Sequence, residues 1–138
     1  VDSIVARWKK QGIKRTPKRV AILREILGDT THPSAEALYK RLRRRLGLSF
    51  ATIYNNLESM VRNGDVGVLR VNDTMRFDPN LDPHHHAICE GCGEIFDVPA
   101  RANIRVSLPR GFRNRRVSLE FRGECRSCRG KAKKNGTR

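Results

Sequence analysis

The sequence predicts an α+β chain: a helical N-terminal domain closed by a β-hairpin, then a small C-terminal α/β domain. Three observations predict it. Apolar stripes at helical spacing, each closed by a glycine, run through residues 1–64. Two short strand-like runs, 66–70 and 75–77, flank a turn at Val71-Asn72-Asp73-Thr74. Two Cys-x-x-Cys pairs, Cys89/Cys92 and Cys125/Cys128, bracket most of the second half. With 138 residues the chain holds one or two small domains. A small domain buries little surface, so a metal staple or a partner subunit is expected.

Asp2 or Ser3 is placed to cap a first helix carrying Ile4, Val5 and Trp8, with Gly12 at its end. Thr16-Pro17 supplies an N-cap followed by proline at the first helical position. Val20, Leu23, Ile26 and Leu27 form that helix's stripe, and Gly28 closes it. His32-Pro33-Ser34 opens a third helix with Ala35, Leu38, Leu42 and Leu46 inward and a basic face of Lys40, Arg41, Arg43, Arg44 and Arg45. After Gly47 a tight turn leads to Ser49, the cap of a fourth helix in which Ile53, Leu57, Met60 and Val61 face inward until Gly64. Two amphipathic helices joined by a short glycine-containing turn form the helix-turn-helix pattern. With the hairpin they make a winged helix over residues 1–80. In that motif the start of the second helix enters the major groove. Ala51, Thr52, Tyr54, Asn55 and Asn56 point outward there. Asn pairs bidentately with adenine, and Thr or Ala touches a thymine methyl. Arg15, Lys18 and the wing residue Arg70 (or Arg76) are further candidate DNA contacts.

The formal net charge of +15 and pI of about 10.8 call for a polyanionic partner, most plausibly nucleic acid. Residues 1–80 carry 16 Lys/Arg against 8 Asp/Glu, and residues 81–138 carry 13 against 6, so charge alone does not say which half binds. No apolar run is long enough to cross a membrane and no leader is evident, which predicts a cytoplasmic protein. In a reducing compartment the cysteine pairs read as metal ligands, not disulfides. Four thiolates suit one closed tetrahedral Zn²⁺ per subunit, a staple with no open position for catalysis. It would pin the strand around 86–98 to a strand at 117–122. No His-x-Glu triplet or other obvious general base stands beside the cysteines, which argues against an enzyme.

A second donor set lies beside the first. On a strand His84 and His86 share a face while His85 points the other way. Asp97 follows the first cysteine pair, Asp78 ends the hairpin, and His32 lies far back in the chain.

Ala51-Thr-Ile-Tyr-Asn-Asn-Leu57, His84-x-His86-Ala-Ile-Cys89-x-x-Cys92-Gly and the second Cys-x-x-Cys, set on a winged helix, resemble the ferric uptake regulator family along nearly the whole chain. Within it the chain looks most like the peroxide-sensing repressors. Asn55 stands where uptake regulators usually have Arg, and Asp97 where iron-uptake regulators tend to have Glu. The resemblance implies a regulatory Fe²⁺ or Mn²⁺ site, one per subunit, of His32, Asp78, His84, His86 and Asp97. It also implies that peroxide oxidises His32 and His84 and so releases a palindromic operator bound by a homodimer. An iron- or zinc-uptake regulator without peroxide sensing is the alternative. Val117 and Ile104 depart from the ligands of a third site found in many members, so none is expected; His85, where an aromatic is common, is a spare donor.

The expected organisation is then 1–80 for DNA binding, a hinge at 81–83, a dimerisation and metal domain at 84–130, and a disordered basic tail at 131–138. Within the second domain, 98–108 is expected to be a helix and 117–121 an alternating strand, in a sheet that pairs across the dimer.

Overall fold

The computed structural model describes residues 1–101 and 105–135, the side chains of 132–135 excepted. The chain divides into two units, Val1–Leu81 and Asp82–Arg138.

The first unit is a winged helix of α1 (Asp2–Lys10), α2 (Pro17–Leu27), α3 (Ala35–Leu46), α4 (Phe50–Arg62) and the hairpin β1 (Gly67–Val71)–β2 (Thr74–Asp78). The hydroxyls of Thr16, Ser34 and Ser49 accept backbone N–H bonds from Arg19, Ala37 and Thr52, capping α2, α3 and α4 as their sequences require. Gly47 ends α3 at φ 61°, a left-handed conformation that costs glycine nothing. The hairpin reverses through Asn72 and Asp73, both at positive φ, the residue types that tolerate such a turn. Trp8, Leu23, Ile26, Leu38, Leu42, Ile53, Leu57 and Phe77 form one buried cluster.

Three expectations fail locally. Asp2 lies inside α1, whose cap position is Val1 with no side-chain bond. Leu46 is 48% exposed, because α3 outruns the core in its last turn. Arg76 is not a wing contact, since its guanidinium is bonded to the carbonyls of His32 and Thr31.

Two buried acids hold the helices together. Asp65, fully buried between α4 and β1, accepts from Arg7 and from the Trp8 indole N–H at 2.6 Å. Asp29 accepts from the Thr31 N–H at 2.8 Å, the Thr31 hydroxyl, and Arg41 at 2.6 Å. Burial raises the Asp29 pKa, but the bonds from Thr31 and Arg41 outweigh it and hold the carboxyl below its usual value. A lowered folded pKa contributes stability above the unfolded value and loses it as pH falls through the folded one. Asp29→Asn should therefore destabilise the first unit by about 1 kcal/mol at neutral pH. The deficit against wild type should begin to shrink below about pH 4 and vanish only once the pH has fallen through the lowered folded value. Urea unfolding followed by fluorescence of Trp8, the chain's single Trp, reads this unit alone. A deficit that persists in acid would contradict the assignment.

The second unit is a three-stranded sheet in the order β4 (Ile95–Pro99), β3 (His84–Cys89), β5 (Glu120–Gly123), followed by α5 (Arg126–Asn135). β3 pairs antiparallel with β4 and parallel with β5. The helix expected at 98–108 is not formed in the described part: Val98 and Pro99 end β4 and 105–109 have no regular structure, while 102–104 lie outside the described residues. Its apolar residues fall at every second position, which is no helical stripe. The strand expected from 117 begins at Glu120, although Leu119 already accepts the His86 N–H at 3.1 Å. The tail expected to be disordered from 131 is helical to Asn135, and 136–138 lie outside the described residues.

Candidate functional site

The four cysteine sulfurs lie within 4.8 Å of one another. Cys89 and Cys92 flank the tight turn after β3, and Cys125 and Cys128 sit where β5 gives way to α5, so the parallel β3–β5 pairing brings the two turns together. Cys92 and Cys125 are 3.8 Å apart at sulfur, far beyond a disulfide bond. That separation is the edge, about 3.8 Å, of a tetrahedron with ~2.3 Å zinc–sulfur bonds. A Cβ on Gly91 would come within 2.9 Å of the Cys128 sulfur, so only glycine lets the turn approach this closely. Backbone N–H groups of Cys125 and Cys92 hold the Cys89 thiol down at about 6. Hydrogen bonds with Cys89 and Cys125 push Cys128 up to about 12. Cys89 thus ionises readily beside Cys92 and Cys128, which resist it, and a bound cation would favour the thiolate form of all of them. The donors fit structural Zn²⁺.

The His/Asp donors are distributed over both units. In the first, the His32 imidazole Nε2 lies 3.4 Å from Asp78 Oδ2, and both residues are buried. The local sequence builds this pair. Phe77 donates its N–H to Pro33 O at 2.9 Å, Ser34 bridges to Arg76, and Arg76 grips the His32 carbonyl, so the 31–34 segment is sewn to β2. His32 itself has φ 56°, which few L residues adopt.

In the second unit His86 is the direct cross-strand partner of Asp97, and His84 projects from the same face of β3. Asp97 Oδ1 lies 3.4 Å from His84 Nε2 and 3.6 Å from His86 Nε2. His84 Nδ1 is 2.6 Å from the Asp82 carbonyl. A carbonyl only accepts, so Nδ1 carries the proton and Nε2 keeps its lone pair for a ligand. The two Nε2 atoms are 3.0 Å apart, the spacing of two nitrogens at right angles on an ion with ~2.1 Å bonds. Imidazole and carboxylate donors of this kind fit Fe²⁺ or Mn²⁺. His85 turns to the opposite face, is buried, and accepts the Leu119 N–H on Nδ1 at 3.2 Å. Its role is to join β3 to the segment before β5, not to serve as a spare donor.

On α4, Ala51, Tyr54 and Asn55 are exposed, and Thr52 and Asn56 are half-buried. Asn56 is spoken for: it donates to Thr52 O at 2.7 Å and accepts from Arg19 Nε at 3.1 Å. Arg15, Lys18 and Arg70 are exposed. Sequence reasoning missed Phe50, which is 41% exposed and stacks on Tyr54 with ring centroids 6.0 Å apart. The i, i+4 spacing of the two rings on one helix was the available signal.

A winged helix with donors at its wing, followed by a cysteine-stapled sheet bearing more, has the build of a metal-responsive transcription regulator. Residues 10–121 match the sequence pattern of the Ferric uptake regulator family. The chain is 36% identical over 126 residues to the peroxide operon regulator of Bacillus subtilis, a match covering 87% of each protein. Among solved structures it resembles PerR from Streptococcus pyogenes, described for peroxide sensing and gene regulation, with TM-score 0.55, 27% identity and coverage of 91% and 90%. The Vibrio cholerae ferric uptake regulator is as similar, with TM-score 0.63, 28% identity and coverage of 87% and 98%. The chain belongs to the ferric uptake regulator family, whose members regulate transcription.

Proposed function

We propose that this chain is a metal-dependent repressor that binds a palindromic operator as a homodimer in the cytoplasm and releases it when hydrogen peroxide oxidises its ligand histidines. One observation carries the reading: a preassembled His32–Asp78 pair belongs to the first unit and a preassembled His84–His86–Asp97 set to the second. If all five hold one Fe²⁺ or Mn²⁺, the ion fixes the orientation of the DNA-binding unit on the dimerisation unit. Its binding free energy then favours the state that presents two recognition helices to half-sites about one helical turn (~34 Å) or more apart. Similarity to the B. subtilis peroxide operon regulator, with Asn55 and Asp97 in place of Arg and Glu, favours the peroxide branch over uptake regulation.

Fe²⁺, when bound, supplies the reduction of hydrogen peroxide. The chain's residues do the rest. Arg76 holds the His32 backbone carbonyl against β2, and the Asp82 carbonyl fixes the tautomer of His84. One or the other of these imidazoles takes up an oxygen atom from hydrogen peroxide, whose second oxygen leaves as water; the ring becomes a poorer donor and loosens the tie between the units. In the test, protein loaded with Fe²⁺ or Mn²⁺ is treated with peroxide and its mass and DNA affinity are measured. The iron form should gain one oxygen atom on a peptide containing His32 or His84 and lose its operator, while the manganese form should do neither. An iron form that leaves DNA with its mass unchanged would refute the mechanism.

A further inference from the structure

Charge in the second unit is sharply divided along the chain. Residues 82–100 contain four acids and no Lys or Arg, whereas 101–138 contain 13 Lys/Arg against only Glu120 and Glu124. From 101 to 129 every basic residue is Arg. The zinc staple uses none of these side chains, and the His/Asp donors all precede them.

The densest part is Arg110-Gly-Phe-Arg113-Asn-Arg115-Arg116. Its tip is an ordered turn: Phe112 donates its N–H to Pro109 O at 3.0 Å, and Gly111 has φ 79°. Proline, arginine, then glycine at positive φ is the type II pattern. Arg110 and Phe112 on this turn are both exposed, Phe112 to 61%. All four arginines are exposed, and among the described residues none has an ion pair or side-chain hydrogen bond. In the first unit, by contrast, Arg7, Arg41 and Arg45 are bonded to acids. Four unpaired guanidiniums within seven residues repel one another, a cost that a polyanion removes. Planar guanidinium forks suit phosphate oxygens better than ammonium does.

We infer that the arginine segment 110–116 of the second unit is a second DNA contact, one that grips the phosphate backbone of a duplex independently of base sequence and of the recognition helix. This deepens the DNA-binding reading and rests on it. The segment would add affinity and salt dependence without specificity.

The test compares wild type with a variant carrying Arg110→Gln, Arg113→Gln, Arg115→Gln and Arg116→Gln. The probe is a duplex of arbitrary sequence, about 20 base pairs long, titrated from about 50 to 200 mM salt. Each phosphate contact contributes about 0.9 to the slope of log K against log salt, so the variant's slope should be shallower by about 2 to 4. Sedimentation should find its oligomeric state unchanged. An unchanged slope, or a loss that follows dissociation of the dimer, overturns the inference; the second result would make the segment a subunit contact with the acidic 82–100 stretch. Preferred binding of single-stranded RNA, lost with Phe112→Ala, also overturns it. Failure of wild type to bind any duplex would defeat the DNA-binding reading itself, whereas wild-type binding with equal slopes defeats only this inference.

Discussion

Replacing Cys89 with Ser should unfold the second unit and leave the first intact. The described residues of that unit include only three buried apolar side chains, Ile88, Cys89 and Ile95. Burying an isoleucine side chain contributes about 1.5–3 kcal/mol, whereas ordering a residue's backbone costs about 1–2 kcal/mol. Two isoleucines cannot order a sheet and a helix. Phe96 and Phe121, 42% and 45% exposed, offer apolar surface to a partner subunit only once their strands exist. A closed zinc site, by contrast, contributes on the order of 10–16 kcal/mol. Cys89 also accepts the Cys125 N–H at 3.2 Å, so its sulfur joins the two knuckles even apart from the metal. The variant should lose bound zinc, dimerisation and the second unit's share of the β-strand signal in circular dichroism, the β1–β2 hairpin keeping its own. Trp8 fluorescence should stay as in wild type, because that side chain belongs to the first unit's core. Retention of zinc and of a folded second unit would show that the thiolates do not carry its stability. Loss of the Trp8 signal as well would show that the units do not fold separately.

How much of this was legible before the structure depended on how local the cause was. Caps at Thr16, Ser34 and Ser49, the left-handed Gly47 and the turn at Asn72-Asp73 follow from residues within one turn of each other, and all were readable. The shared face of His84 and His86 follows from the two-residue period of a strand. The Asp65–Trp8 bond spans 57 residues and could not be read, since nothing near Asp65 marks it as buried. Arg76 looked like a wing contact until the His32 carbonyl, 44 residues away, was found to hold it. The helix expected at 98–108, not formed among its described residues, has another cause. A run holding Ala100, Ala102, Arg101, Arg105 and Leu108 suits a helix by propensity, but Pro99 and an alternating apolar pattern oppose it. In the site, the sequence exposed which residue types cluster, but not the clamp on His32 or the burial of His85. Both depend on partners that only the fold brings near.

The proposed five-ligand site makes a demand that two separate half-sites would not: donors from either unit must be worth nothing without the other. Asp78→Asn tests the first unit's share with little disturbance. The amide is isosteric and keeps an oxygen to accept the Asn80 N–H, which now bonds Asp78 at 2.9 Å. What it lacks is the negative charge that a divalent ion requires. His86→Ala tests the second unit's share, removing the ring opposite Asp97. Even an outer-sphere partner of a metal ligand is worth about 10–100-fold in metal affinity, so losing a direct donor should cost at least ~100-fold, about 3 kcal/mol. Each variant should lose Mn²⁺-dependent DNA binding by that factor while keeping zinc and the Trp8 signal. The double variant should be scarcely worse than either single one, because the first substitution already undoes the shared ion. Mn²⁺ titration monitored by DNA-binding anisotropy supplies all three numbers. Losses that simply add would mean two independent sites, one in each unit. In that case the metal could not set the angle between them, and the proposed hinge at 81–83 would not be what the ion controls.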